Sequence, residues 1–131
     1  LITFKEHHFL KEAGKMDSLS ISLSGLKAQT TRLSATASNI ANSATPNYKA
    51  QRVVMTTNPS GGVLAVLSRD LSPGQPIPQT EGLPPQDQET SNVDLASELV
   101  NLMTIRHGFQ ANLQALKTIL RTKGSVLDIV S

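Results

Sequence analysis

At 131 residues, with 38% hydrophobic and 3% aromatic residues, the chain is long enough for one domain but carries little bulky material for an ordinary globular core. It has no cysteine, which excludes a disulfide framework, a thiolate zinc site and a thiol nucleophile. A formal net charge of +2 is too small to imply a nucleic-acid partner, and no apolar run reaches the roughly 18–20 residues of a membrane span.

Residues 1–15 read as an N-terminal extension ahead of Met16. Phe4, Phe9 and Leu10 lie among alternating Lys and Glu, a pattern that predicts a short amphipathic helix ending near Gly14. His7 and His8 are adjacent and point to different sides of such a helix, so they suit a solvated face and not a metal site.

The first helical arm, residues 16–50, begins with Asp17 or Ser18 as its cap. Leu19, Leu23, Leu26, Thr30, Leu33, Ala37 and Ile40 then follow at alternating steps of four and three, the a/d seam of a helix that packs along another. The other face holds Ser20, Ser22, Ser24, Thr31, Ser34, Thr36 and Ser38. Such small residues either admit a second helix closely or form a polar solvent face. Ser and Thr are mediocre helix formers, so the arm is marginal until something covers it.

Pro46 disfavours helix at Thr45 and stops the run, and Asn47 tolerates the left-handed backbone a turn needs. Asn39 and Asn42 are read as amides that bond backbone groups where helix gives way to turn, with Tyr48 packing back on it; the alternative is an exposed polar loop. A seam-bearing arm running into Asn39-Ile40-Ala41-Asn42 and then Thr45-Pro46-Asn47-Tyr48 resembles the signature of the bacterial flagellar axial family, its rod, hook and hook-associated proteins. Asn47 stands where many members of that family have glycine.

Residues 51–90 form the middle of the chain. Arg52–Thr57 and Val63–Ser68 are β-prone runs around Asn58-Pro59-Ser60-Gly61-Gly62, which predicts a hairpin leaning on the helices or a neighbouring subunit. Arg69 to Glu89 holds five of the seven prolines and is expected to be an extended spacer; a peptide ligand of PxxP type, from Pro73 and Pro76, is the lesser reading.

The second arm, residues 91–131, continues the seam through Leu95, Leu99, Leu102, Arg106, Phe109, Leu113, Leu116, Leu120, Lys123, Leu127 and Val130. Ser91 or Asn92 is the expected cap, with Asp94 in capping-box position relative to Ser91. Acids come early and bases late, as the helix dipole favours. A helix from Val93 to about Val130 would be on the order of 57 Å long, with Gly108 and Gly124 as its points of bending. Arg106 and Lys123 on the seam either set register against a carboxylate of another chain or cover apolar neighbours with their stems. Ser91-Asn92-Val93-Asp94-Leu95 leading to Phe109-Gln110-Ala111-Asn112-Leu113 resembles the C-terminal signature of flagellar rod and hook subunits.

No catalytic constellation can be assembled. His107 has no motif-level partner, and neither a phosphate-binding glycine loop nor a zinc-protease spacing occurs. The expected fold is mainly α: two long N- and C-terminal helices pairing as a coiled coil, joined by a small β-hairpin and a Pro-rich linker. The resemblance implies a structural subunit of the basal-body rod with no cofactor, nucleic acid or small-molecule substrate. It also implies passage through the flagellar type III export apparatus without a cleaved signal. The partners would be copies of itself and other rod and hook-basal-body proteins, in a helical torque-transmitting tube across the periplasm. From the residues alone, the interface would be Leu19, Leu23, Leu26, Leu33, Ile40, Leu95, Leu99, Leu102, Phe109, Leu113, Leu116, Leu120 and Leu127, because these seams are too long for one small chain to bury. A stand-alone coiled-coil adaptor is the alternative reading.

Overall fold

The computed structural model describes the backbone of residues 4–59, 61–78 and 88–130, and within the helices the side chains from Ser18 to Ser125. Two long helices, α1 (Phe4–Ala41) and α2 (Leu95–Val130), flank a hairpin of β1 (Gln51–Thr57) and β2 (Val63–Arg69). The spans match the sequence pattern closely, but both helix starts differ from it. α1 runs unbroken through Gly14, so the expected break there does not occur, and Asp17 and Ser18 are interior residues and not caps. One glycine costs a helix only about 1 kcal/mol, and no proline intervenes to remove a hydrogen bond.

α2 starts at Leu95 because Asp94, not Ser91 or Asn92, caps it. One carboxylate oxygen of Asp94 accepts from the Ala96 N–H at 3.1 Å and the other from the Ser97 hydroxyl at 2.5 Å, while the Asp94 carbonyl takes the first helical bond from Glu98 N–H at 3.0 Å. Asn92 is occupied elsewhere, as described below.

The hairpin is antiparallel, with Val54 opposite Val66 and Thr57 opposite Val63. Its turn needs the positive φ of Gly61 (96°) and Gly62 (86°), and Asn58 closes it by accepting from Gly61 N–H at 2.8 Å. The tip is pinned to α1, where the Ser24 hydroxyl accepts from Val63 N–H at 3.0 Å. A Cβ on Gly62 would fall 2.3 Å from that hydroxyl oxygen, so only glycine permits the approach.

The expected proline-rich spacer is more ordered than an extended connector. Thr90 N–H donates to the Gln75 carbonyl at 2.8 Å and Ile77 N–H to the Gln88 carbonyl at 3.0 Å, so the segment folds back and pairs with itself. Its remaining prolines, Pro84 and Pro85, lie outside the described residues.

α1 and α2 pack antiparallel. Gly25 meets Asn112, Gln29 meets Gly108, and Asn39 meets Glu98, so every advance along α1 is matched by an equal retreat along α2. The residues sealed between them are small or polar: Ser22, Ala28, Ala35, Thr36, Asn39 and Glu98, with Ile105 the one large apolar side chain among the buried, described residues. Gly25 and Gly108 each leave room for the amide opposite, since a Cβ would sit 2.8 Å from Asn112 Oδ1 or 2.4 Å from Gln29 Nε2. The Gln29 carbonyl oxygen, Oε1, is buried there without a hydrogen-bond partner. The hydroxyl residues of α1 therefore divide: Ser22 and Thr36 are buried, Ser24 and Ser38 meet the hairpin and the turn, and Ser20 and Ser34 remain exposed.

Candidate assembly interface

The leucine seams do not form the centre of this contact. At about 100° per residue, the leucine row of α1 lies about a third of a turn from the face that meets α2, and that of α2 lies about a quarter of a turn from the face that meets α1. The displacement has the same rotational sense in both helices. Because they run antiparallel, both rows emerge on one side of the pair. Ser24 and Ser38, which touch the hairpin and the turn, are displaced in the opposite sense, so the hairpin occupies the other side.

Exposure follows this geometry. Leu19, Leu26, Ile40, Leu102 and Leu116 are half-buried along the groove between the helices. Leu23, Leu99 and Leu120 are 59%, 53% and 53% exposed, and Leu33, Leu95, Phe109 and Leu113 are also exposed. Leu127 lies outside the described side chains. Arg106, His107 and Lys123 are exposed on α2, and a Cβ added at Gly124 would meet nothing within 4 Å. α2 passes through Gly108 and Gly124 as one helix.

The turn motif occupies the opposite end of the pair and is wired in detail. Asn39, 1% exposed, accepts at Oδ1 from Gln51 N–H (2.7 Å) and donates from Nδ2 to the Gln51 carbonyl (2.8 Å), thereby extending the hairpin's hydrogen bonding into α1. Nδ2 also donates to a carboxylate oxygen of Glu98 at 2.9 Å, and the Tyr48 hydroxyl donates to Asn39 Oδ1 at 3.3 Å. Tyr48 and Ser38 share a hydroxyl–hydroxyl bond of 3.0 Å. Asn42 Nδ2 donates to the Ser38 carbonyl at 2.9 Å and its Oδ1 accepts from Thr45 at 3.2 Å, closing the last turn of α1. Pro46 is exposed at the tip. Asn47 adopts φ 58°, the left-handed conformation a glycine would take, and its side chain accepts from Glu89 N–H at 3.0 Å while its own N–H donates to Glu89 O at 2.8 Å.

Three residues central to this knot have partners that local sequence pattern does not reveal. Asn92, an expected cap, accepts from Ala50 N–H at 2.7 Å and donates to the carbonyls of Asp70 and Ser72 at 2.9 Å each. Glu98, one of the acids early in α2, is only 2% exposed; besides Asn39, it meets an Arg52 guanidinium nitrogen at 3.5 Å. That guanidinium also lies 3.5 Å from Asp70. The sequence pattern marks Arg52 only as the start of a β-prone run. The signal for Asn92 is its place two residues before a second good cap, Asp94, which leaves one of the two free for other work.

Three carboxyls in this region are held below their ordinary range. Asp70 is lowered by the hydroxyl and backbone N–H of Ser72, aided by Arg52. Glu89 is lowered by the hydrogen bond from the Lys49 ammonium and then by Gly74 N–H. Asp94 is lowered by the Ser97 hydroxyl and the first N–H groups of α2. Among the described residues no three His, Asp or Glu converge as metal ligands, and no helix is long and apolar enough to cross a membrane.

Both ends of the chain match families with related descriptions. Residues 19–49 match "Flagella basal body rod protein", and residues 87–127 match "Flagellar basal body rod FlgEFG protein C-terminal". The flagellar basal-body rod protein FlgC of Escherichia coli O6:H1 is 30% identical over 115 residues, covering 73% of this chain and 83% of the relative. FlgC of Salmonella typhimurium is similar to the same extent, 30% over 115 residues with 73% and 83% coverage. With the amide-wired turn at one end of the pair and matches to both arms, the chain belongs to the flagellar basal-body rod protein family and is FlgC-like.

Proposed function

We propose that the chain is a structural subunit of the flagellar basal-body rod, polymerising through its terminal helices into the axial shaft that transmits torque across the periplasm. The observation that carries this reading is the one-sided leucine face: Leu23, Leu99 and Leu120 are more than half exposed beside further exposed seam residues. A soluble monomer rarely leaves a contiguous apolar stripe of this kind open to water, and two helical stripes at a/d spacing suit helices of other subunits. The coiled-coil pairing expected for the leucines is then between chains. The small-residue seam holds the two helices of one chain together.

In this reading residues 16–50 and 91–131 supply the inner, interlocking layer. Residues 51–90 fix the angle between the arms and face outward, and residues 1–15 extend the first arm. The partners are copies of the chain and other rod and hook-basal-body proteins, reached through the flagellar type III export apparatus. Asn39, Asn42, Pro46, Asn47 and Tyr48 act by setting the geometry of the arms, not by touching a neighbour. A heterologous contact that does not close on itself yields a helical assembly.

The test is complementation of a strain lacking the gene. The full chain restores motility; a version lacking Ser91 to Ser131, and a folded version carrying Leu23→Asp and Leu99→Asp, do not. Full motility with both aspartates in place would overturn the proposal. A closed, stable dimer at micromolar concentration, with motility unaffected by the gene's loss, would favour the adaptor instead.

A further inference from the structure

The leucine face of the helix pair is bordered by bases. From Ser18 to Ala41, α1 carries Lys27 and Arg32 and no acid; from Leu99 to Leu127, α2 carries Arg106, Lys117, Arg121 and Lys123 and no acid. Asp17 and Asp128 stand just beyond these lengths. At about 100° per residue, Arg106 falls within the leucine row of α2, and Lys117 and Arg121 fall on the flank of that row away from α1. Lys27 falls on the flank of the α1 row away from α2. All four are exposed, and none makes an ion pair among the described residues. From Arg106 to Arg121 the bases span about 22 Å of the helix axis.

Both outer edges of one apolar face are therefore cationic, and between them lie Leu23, Phe109, Leu113 and Leu120, all exposed. The described carboxylates, Asp70, Glu89, Asp94 and Glu98, lie at the other end of the pair, where Lys49 holds Glu89 and Arg52 holds Asp70 and Glu98. The helices of a second copy bring the same bases and no acid in these lengths, so they answer the leucines alone. A soluble polyanion answers the bases alone. An anionic bilayer answers both, with acyl chains for the leucines and headgroup phosphates for lysine and arginine.

We propose that the unassembled chain rests by this face on an anionic phospholipid surface. The helix pair lies in the plane of the membrane, with Leu23, Phe109, Leu113 and Leu120 among the headgroups and Lys27, Arg106, Lys117 and Arg121 on lipid phosphates. The inference goes beyond the rod reading: it concerns the chain before neighbours cover the leucines, and lipid and assembly compete for the same face.

The experiment is co-sedimentation of the purified full chain, dilute enough to be monomeric, with vesicles of phosphatidylcholine alone or with about 30% phosphatidylglycerol. The chain binds the anionic vesicles at least about tenfold more tightly than the neutral ones. That binding weakens at least about tenfold between about 50 mM and about 0.5 M NaCl, as the screening length falls from roughly 14 Å to roughly 4 Å. Near an anionic surface each lysine or arginine is worth about fivefold in affinity, so Lys117→Gln/Arg121→Gln weakens binding about 25-fold. Leu23→Ser/Leu120→Ser, with helical content unchanged by circular dichroism, also loses the vesicles, while any binding to heparin, which offers charge without an apolar layer, is indifferent to the leucines. No binding to anionic vesicles, or equal binding to both kinds, overturns the proposal. So does either double variant binding vesicles like wild type; for the leucine variant that result assigns the bases to soluble polyanions instead. None of these outcomes bears on the rod reading, which complementation decides separately. Should a double variant lose its fold, the wild-type comparison across vesicles and salt decides alone.

Discussion

The two ends of the helix pair are held by different physics. At the knot end, Asn39, Asn92, Asn47, Glu98 and Arg52 draw the end of α1, the hairpin, the folded-back linker and the start of α2 into one hydrogen-bonded junction. Away from it, α1 and α2 touch through glycine, alanine and amide side chains, with one large apolar residue buried among those described and one buried amide oxygen unpaired. The first region is specified by direction, because each amide satisfies named backbone groups. The second is specified by closeness and has little apolar burial of its own, while leucines sit unused on its flank. Rigidity at one end with incompleteness along the rest suits a part that fixes the angle of its arms and leaves their surfaces for neighbours.

The sharpest way to break this contrast is Asn39→Ala. It strands the Gln51 N–H and carbonyl and removes a donor from buried Glu98, and at about 1–3 kcal/mol for each stranded buried group the expected loss is about 3 kcal/mol or more. Urea unfolding checks it; a loss below about 1 kcal/mol would mean the knot is not the stable region. Next is Gly62→Ala, which forces a side chain into φ 86° and against Ser24. A cost of about 1–2 kcal/mol is expected, with the hairpin lifting from α1 before the knot opens, visible as new exchange at Val63.

Acid gives a smaller and graded effect. Asp70, Glu89 and Asp94 have folded-state values below the unfolded ones, so each contributes stability that is present above about pH 4 and is lost as pH falls through the folded values. The melting temperature is therefore expected to hold from neutral pH down to about pH 5 and to fall below that. Stability that rises between about pH 4 and pH 3 would contradict this account of the knot's carboxylates. Smallest of all is Leu99→Ser. Because the side chain is mostly exposed, stability of the single chain should change by no more than about 0.5 kcal/mol, while self-association falls.

Much of the architecture was legible because periodicity and punctuation are local signals. The a/d spacing marks both helices, Pro46 marks the turn that follows α1 although the helix itself ends earlier, at Ala41, and the glycines at 61 and 62 mark the hairpin within a residue of its observed strands. Which face of a helix meets which partner is not local, and there the leucines misled. The strongest apolar stripe is usually the buried one, yet here glycine and serine allow a closer approach on another face, and that approach is set by Asn39 meeting Glu98 across 59 positions of sequence. For the same reason Asn92 could not be distinguished from a cap. Its partners, Ala50, Asp70 and Ser72, come from two distant segments. The linker's pairing escaped because prolines signal extension, and an extended chain can still pair where its N–H groups remain, as at Ile77 and Thr90.

Amide hydrogen exchange, followed on the dilute chain and again on its assemblies, tests the central claim most directly. Protection at Gln51 and Ala50 should be high in both states, whereas the helical amides around Leu23, Leu113 and Leu120 should exchange quickly when dilute and become protected only on association. Uniformly slow exchange along both helices in the dilute chain, unchanged by raising concentration, would mean the leucine faces need no neighbour.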